Sequence, residues 1–214
     1  MKNARTNTLK KYISNKNIRL SVSDREFLAD LARVGIIAED DAKEHHYSKH
    51  KSPVSRRLKN LCDSGVLEKV SVNQPAKGIF NAYQFKSDSV AKLFGGKRLS
   101  IGRKRNALHE VITSKLYFAE GRPDTFILES NFSKTQKKMF EVATPSLTGN
   151  NHVYPDAMYV KQNGEIVVVE SDSGQYNQTQ IRSKQAAWTS FTQVWGQPFK
   201  SSARVRDAVV YRFE

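Results

Sequence analysis

Residues 154–184 decide how the second half of the chain folds, and they read YPDAMYVKQNGEIVVVESDSGQYNQTQIRSK. Two β-prone runs flank the turn-forming pair Asn163-Gly164, a pattern typical of a β-hairpin. The run from Ile166 to Val169 is apolar on both faces. We therefore expect that strand to be central in its sheet and covered on both sides.

The length of the turn decides which side chains of the two strands face each other. With a two-residue loop, Asp156 and Glu170 fall on different faces of the sheet. With a three-residue loop that ends on a left-handed Gly164, Lys161 pairs with Glu165 and Asp156 lies directly opposite Glu170. Only the second register builds a carboxylate pair, and such a pair repels unless a cation or a proton lies between its members.

Carboxylate oxygens in this arrangement favour Mg²⁺ or Mn²⁺ over zinc. Asp172 shares a strand face with Glu170 and is either a further ligand or a partner that orients Lys184. A helix predicted from about residue 176 to residue 194 places Lys184 within its apolar stripe, where a lysine usually has an acidic partner. The alternatives are a buried ion pair without catalysis and a lysine that reaches out to water. The stripe consists of Ile181, Trp188, Phe191 and Trp195.

Positive charge is concentrated in the first half of the chain. The 214 residues carry a net charge of +14, and residues 1–105 hold 23 Lys and Arg against 10 Asp and Glu. Residues 1–20 have few large apolar groups and predict a flexible basic arm. A basic, folded half of this kind favours nucleic acid as a partner.

The elements of residues 21–99 predict a DNA-binding domain. A helix with Ser23 as its N-cap, Glu26 at the capping-box position and Gly35 at its end is followed by a short helix, a helix over residues 52–64 and a hairpin. This order looks like a winged helix-turn-helix. On that reading Arg56, Arg57, Lys59 and, at the tip of the hairpin, Lys77 face double-stranded DNA; the alternative is a small α+β domain with a solvated basic face.

Residues 100–214 predict a second domain of mixed α/β (α+β) class. A helix around residues 103–121 precedes strands at TFILES, MFEVA, VYPDAMYVK and EIVVVES, then the helix that carries Lys184 and a last strand DAVVYRF. Alternation of strands and helices predicts a mixed sheet flanked by helices.

These motifs resemble the PD-(D/E)xK nuclease superfamily, whose core is restriction-endonuclease-like. Pro155-Asp156 matches the first motif and Glu170 the second acid, but Asp172 stands where the family usually has its lysine. Some branches place that lysine on the next helix, which matches Lys184. The family often has a glutamate on the first helix, here Glu110, which the helical angle directs away from the apolar stripe. His109 could assist, although a lone histidine at a helix margin is more often structural.

Over most of the chain the order of motifs is similar to that of replication-relaxation proteins and MobC-type plasmid mobilisation relaxases. The resemblance implies a protein that recognises a plasmid origin of transfer and nicks it with a metal-dependent site, with accessory mobilisation proteins as further partners. Asp156 and Glu170 would hold the metal against the scissile phosphate, and Lys184 would offset developing charge. A tyrosine nucleophile such as Tyr117 stays open. The alternatives are a non-catalytic DNA-binding regulator with a decayed nuclease fold and a restriction or repair endonuclease.

The sequence also predicts where the protein functions. It contains no apolar run of the length that spans a bilayer and no signal peptide, so we expect no membrane association and a cytoplasmic location. Cys62 is the single cysteine, which excludes an internal disulfide and a cysteine-built zinc site.

Overall fold

The computed structural model describes residues 18–49, 53–75, 77–99, 101, 106–143, 154–199, 201 and 204–213. The first 17 residues of the predicted arm and Ser52, the predicted cap of the helix over residues 52–64, lie outside them. The chain divides into two compact units, Met1–Val111 and Ile112–Glu214. Helices and two sheets make up these units, which confirms the mixed α and β class. No helix in the described part of the chain is long and apolar enough to cross a membrane.

The first unit follows the predicted order of elements. Helix α1 (Val22–Val34), strand β1 (Ile37–Ala38), helices α2 (Glu39–His45) and α3 (Val54–Asp63), and strands β2 (Leu67–Gln74) and β3 (Gly78–Phe85) are followed by a short helix, α4 (Asp88–Leu93). The three strands form an antiparallel sheet in the order β1-β3-β2. The β2–β3 hairpin turns where the sequence predicts it, because Gly78 adopts a φ of 91° that other residues rarely adopt.

The N-cap of α1 is Ser21, not the predicted Ser23. The Ser21 hydroxyl accepts a hydrogen bond from the Asp24 backbone, and the Asp24 side chain accepts one from the Ser21 backbone, which is a capping box. Asp24 is fully buried as well, so the same carboxylate caps the helix and takes part in the interior of the unit. The helix ends as predicted at Gly35, whose φ is 80°.

The second unit contains a five-stranded mixed sheet in the order β4-β5-β6-β7-β8. Strands β4, β5 and β6 pair antiparallel, whereas β6–β7 and β7–β8 pair parallel. Its helices are α5, which begins in the first unit, then α6 and α7. The elements in chain order are α5 (Ala107–Ala119), β4 (Ile127–Leu128), a 3-10 turn (Glu129–Asn131), α6 (Lys134–Ala143), β5 (Ala157–Val160), β6 (Ile166–Ser171), α7 (Gln178–Ala187), β7 (Thr192–Pro198) and β8 (Val209–Phe213).

The central strand is β6, as its apolar sequence predicts. It lies third among five strands, and residues 167–171 are buried. One apolar cluster of the unit joins Val168 to Phe140 of α6 and to Trp188. Gly196 of β7 lets α5 approach closely, because a Cβ there would lie 2.5 Å from the Ile112 side chain. The central strand is thereby packed at the end that contains Glu170 and leads to Asp172.

Two elements differ from the sequence prediction. MFEVA, predicted as a strand, belongs to α6, because Ser133 and Gln136 form reciprocal capping hydrogen bonds and the buried Phe140 lies four residues after Gln136. The helix predicted to residue 194 ends at Ala187, and residues 192–198 form β7. Trp195 therefore lies on a strand rather than on the helical stripe that the sequence predicts.

Candidate active site

The β5–β6 hairpin adopts the three-residue loop. The Lys161 N–H donates to the Glu165 carbonyl at 2.9 Å, and Gly164 has a φ of 83°. Ala157 pairs with Val169 in an antiparallel register. The residue before Ala157, Asp156, therefore lies opposite the residue after Val169, Glu170. The register that builds the carboxylate pair is therefore the observed one, and the two-residue alternative is excluded.

Glu170 is fully buried and accepts hydrogen bonds at both of its carboxylate oxygens. The Trp188 indole N–H donates to Oε1 at 2.7 Å, and the Lys184 ammonium donates to Oε2. The Lys184 side chain is 18% exposed, so this ion pair lies at the inner wall of the site rather than in open solvent. The expectation that Lys184 meets an acidic partner is confirmed, although α7 ends before Trp188.

Burial is the main cause that raises the pKa of Glu170, and repulsion from Asp156 adds to it; the Lys184 charge and the Trp188 hydrogen bond oppose the rise. Burial alone would lower the pKa of Lys184, but the charges of Glu170 and Asp156 raise it above its usual value. Since both Glu170 oxygens face donors, the ionised carboxylate paired with an ammonium is the form that satisfies the hydrogen bonds.

Asp156 is only half-buried, unlike Glu170. Its Oδ2 accepts a hydrogen bond from the Ser171 backbone N–H at 2.7 Å, which ties the residue before β5 to the end of β6. The Ser171 hydroxyl in turn lies 2.7 Å from the Thr113 hydroxyl of α5. These contacts fix the carboxylate that stands nearer to solvent.

Asp172 is directed into the fold by four hydrogen bonds. Its Oδ1 accepts from the backbones of Gly174 and Tyr176, and its Oδ2 accepts from the side chains of Gln197 and Ser201. Lys184 donates to Glu170 and also hydrogen-bonds Tyr176, so the interpretation of Asp172 as the partner that orients Lys184 is not supported. Asp172 shapes the loop after β6, and its role as a further metal ligand stays a prediction.

The candidates on α5 lie on a helix that is buried on most sides. Glu110 is 5% exposed and His109 is half-buried, so burial on this helix extends beyond the stripe of Leu108 and Ile112. Tyr117 is 2% exposed, with its ring 5.2 Å from the Phe126 ring. Its burial does not present the hydroxyl to a substrate. The catalytic roles of His109 and Glu110 stay predictions.

Two residues of the site have roles that the sequence does not predict. Trp188 was placed in an apolar stripe, but its indole N–H is the donor to Glu170. Tyr176 covers Lys184 from the other side, with its ring centroid 5.1 Å from the ammonium. Aromatic residues eight before and four after a buried lysine were the only signal for these contacts, and that signal does not distinguish packing from a polar contact.

The residues predicted to face DNA have different surroundings. Arg57 donates from Nε and Nη2 to the buried Asp24, at 2.8 and 2.5 Å, and so forms a structural ion pair, while its contact with DNA stays a prediction. Tyr47 donates to the same carboxylate at 3.0 Å. Arg56 is exposed on α3, and Lys59 is 71% exposed in a pair with Asp63.

Lys77, at the hairpin tip, lies 3.6 Å from Asp40 and is 43% exposed. A cleft of about 420 Å³ opens beside the first turn of α3. Three arginines contribute to its lining: Arg19, Arg56 and Arg57.

Within the ranges that the structure describes, no group of three or more His, Cys, Asp or Glu side chains is arranged to hold a metal ion. Two carboxylates are present instead, and each carboxylate has about four acceptor positions. A hard cation can be held by one or two carboxylates when waters and substrate phosphates supply its other ligands. The Asp156–Glu170 pair fits that smaller ligand set.

Comparison of the chain with family models, curated proteins and solved structures found no match.

Proposed function

We propose that the protein is a metal-dependent DNA endonuclease that recognises a specific site through its first unit and nicks it with its second. The observation that carries the proposal is the β5–β6 register, which sets Asp156 opposite Glu170 while Lys184 of α7 pairs with Glu170. Two acids and a lysine are thus brought together by two neighbouring strands and a helix. Their order along the chain is the one that the resemblance to PD-(D/E)xK nucleases implies.

Support for DNA as the partner comes from the order of elements in the first unit. Helices α1, α2 and α3 followed by the β2–β3 hairpin are the parts of a winged helix-turn-helix, in which α3 enters the major groove. Arg56 and Lys59 are exposed on α3, and Lys77 lies at the hairpin tip. The 23 basic against 10 acidic side chains of residues 1–105 favour phosphate contacts over most other surfaces.

Metal-dependent cleavage of a phosphodiester would give Asp156, Glu170 and Lys184 different roles. A divalent cation, Mg²⁺ or Mn²⁺, would supply Lewis-acid activation of the scissile phosphate. Asp156 is the half-buried carboxylate and would hold that cation on its solvent side, with Glu170 behind it. Lys184 has donor capacity beyond its bond to Glu170, and it would stabilise the charge that develops on the phosphate oxygens.

The resemblance to mobilisation relaxases and replication-relaxation proteins makes a plasmid origin of transfer the preferred target, with accessory mobilisation proteins as further partners. Nicking rather than double-strand cleavage follows from that preference. A plasmid target also implies a cytoplasmic location.

A second candidate function is a DNA-binding regulator without catalysis, and one observation favours it. Both Glu170 oxygens already accept hydrogen bonds from protein donors, and Asp172 occupies the usual place of the lysine. A nuclease fold that had lost its activity would keep such an ion pair for stability. A restriction or repair endonuclease is the third candidate.

Incubation of supercoiled plasmid carrying the native origin with full-length protein separates these functions. We expect open circles in the presence of Mg²⁺ and none with a chelator. Linear product would instead indicate a restriction enzyme. Bound but uncut plasmid would contradict the catalytic proposal and support the regulator.

A further inference from the structure

Helix α6 carries a stripe of three lysines that the candidate site does not use. Lys134, Lys137 and Lys138, here called the α6 lysine stripe, are spaced three and four residues apart and lie on one helical face. Like charges at this spacing destabilise a helix by a few tenths of a kcal/mol per pair. Lys134 and Lys138 are exposed. Glu141, four residues after Lys137, lies on the same face and offsets part of this repulsion, and the two exposed lysines are open to an anionic partner.

Helix α6, which carries the stripe, packs against a residue of the candidate site. Phe140 of α6 is fully buried, and its ring centroid lies 5.5 Å from that of Trp188. Trp188 is the residue whose indole N–H donates to Glu170. The ring that positions one candidate acid therefore also anchors the helix that carries the lysines.

A second connection runs through the segment before β5. The Lys137 ammonium lies 5.1 Å from the Tyr154 ring centroid, and the Tyr154 hydroxyl donates to Glu141 of α6 at 2.6 Å. Tyr154 precedes Asp156 by two residues, a separation of at most about 7 Å along the chain. Lys137, the middle lysine of the stripe, therefore contacts the segment that leads to the half-buried carboxylate.

We propose that the α6 lysine stripe binds the DNA phosphate backbone next to the phosphate that is cleaved. This inference rests on the proposed function and adds a DNA contact within the second unit. A DNA strand carries one charge about every 3.4 Å along the helix axis, so a strand whose phosphate reaches Asp156 brings further phosphates to α6. Lysine ammonium groups match such phosphates as flexible point charges. An acidic protein surface lacks this regular spacing and is the less suitable occupant.

The test measures the affinity of the full chain for a mixed-sequence DNA duplex as a function of salt, without metal, so that no cleavage occurs. We expect the Lys134→Gln/Lys138→Gln variant to bind more weakly, with a log-log salt slope shallower by about 2, because two phosphate contacts are lost. Both side chains are exposed, so the thermal unfolding midpoint should not change.

A matched control removes two positive charges elsewhere in the same unit. Lys161 follows the opposite end of β5 from Asp156, and Arg212 is exposed on β8. We expect Lys161→Gln/Arg212→Gln to keep the wild-type slope. The inference would be overturned if the stripe variant kept the wild-type salt slope, or if the control variant's slope became shallower by as much as that of the stripe variant. Either result would leave the proposed function standing. Full-length protein that binds no duplex even at low salt would contradict both.

Discussion

Glu170 is the residue on which the candidate site depends, because it combines full burial, an acidic neighbour and two protein donors. A buried charge that keeps its partner is tolerated, whereas one that loses its partner is strongly destabilising. Lys184 is that partner. The pair is consequently a structural requirement as well as a candidate catalytic one.

We predict that Lys184→Met lowers the free energy of unfolding by about 3–5 kcal/mol at neutral pH, since it leaves a buried carboxylate unpaired. Burial already raises the pKa of Glu170, and Lys184→Met removes the main charge that opposes the rise. Stability should therefore fall as pH rises above the ordinary value of 4.5, and in the variant this fall should continue to a higher pH. Denaturant unfolding at several pH values measures it.

The double variant Glu170→Gln/Lys184→Met is the control for this prediction. Removal of both charges leaves no stranded ion, so most of the lost stability should return and its pH dependence should flatten. A Lys184→Met variant as stable as wild type at neutral pH would contradict the ion pair. Any nicking assay on Lys184 variants requires this comparison, because loss of fold and loss of chemistry otherwise give the same result.

At the scale of elements, helix α3 has two faces with different tasks. Arg57 is held by the buried Asp24 of α1, and the hydrogen bonds of Arg57 hold the pKa of Asp24 below its usual value despite a burial effect that would raise it. Arg56, one residue earlier, is exposed. The docking of α3 onto α1 and the proposed contact with DNA therefore depend on neighbouring arginines.

We expect Arg57→Met to destabilise the first unit by about 3–5 kcal/mol, because Asp24 would be stranded in the interior. The matched variant Arg56→Met should leave stability within about 0.5 kcal/mol and weaken DNA binding instead. Thermal unfolding and a DNA titration of both variants check the two effects. Equal stability of the two variants would show that the Asp24 ion pair does not fix α3.

Particular elements show how far the sequence could predict this fold. The Asn163-Gly164 turn and the apolar run after it predict the hairpin and its central strand, because turn chemistry and periodicity are local. The sequence left two loop lengths open, and the structure selects one. Strand β7 was missed because Trp188, Phe191 and Trp195 also fit a helical period. The sequence does not predict helix α6, because the five residues MFEVA are too few to show a helical period, which is visible only over the ten residues of the helix.

Contacts between residues far apart in the sequence limit how much of the candidate site can be predicted. The sequence places Asp156, Glu170 and Lys184 together because hairpin register and helix spacing connect them. It does not predict that Arg57 pairs with Asp24, which is 33 residues away, or that Asp172 bonds to Gln197. Such pairs depend on how separate elements pack, and side-chain type alone does not specify a partner.

At the scale of the whole molecule, the uneven distribution of charge is the basis for proposing DNA recognition by the first compact unit and cleavage by the second. We predict that residues 1–100 alone bind duplex DNA with a log-log salt slope of roughly −5, as expected for about six phosphate contacts. The full chain should show a steeper slope, because the α6 lysine stripe adds contacts. Salt-independent binding, or retention of all DNA affinity by residues 101–214, would contradict this division.

The central claim is that Asp156 and Glu170 cleave DNA with a divalent cation, and the chain offers an internal control for it. Pro123-Asp124 is a second proline-aspartate pair in the same unit, and Asp124 is exposed. It precedes Thr125, which bonds to Val160 at the end of β5 away from Asp156. Substitution of either aspartate by asparagine removes one negative charge with little change in shape.

The most direct measurement is the rate at which saturating full-length protein nicks supercoiled origin DNA in Mg²⁺. We predict that Asp156→Asn lowers this rate by at least about 100-fold, because a positioned cation is lost, while its affinity for DNA is unchanged or higher. Asp124→Asn should nick at the wild-type rate. Equal nicking by Asp156→Asn and wild-type protein, or no nicking by wild-type protein that binds the origin, would contradict the account.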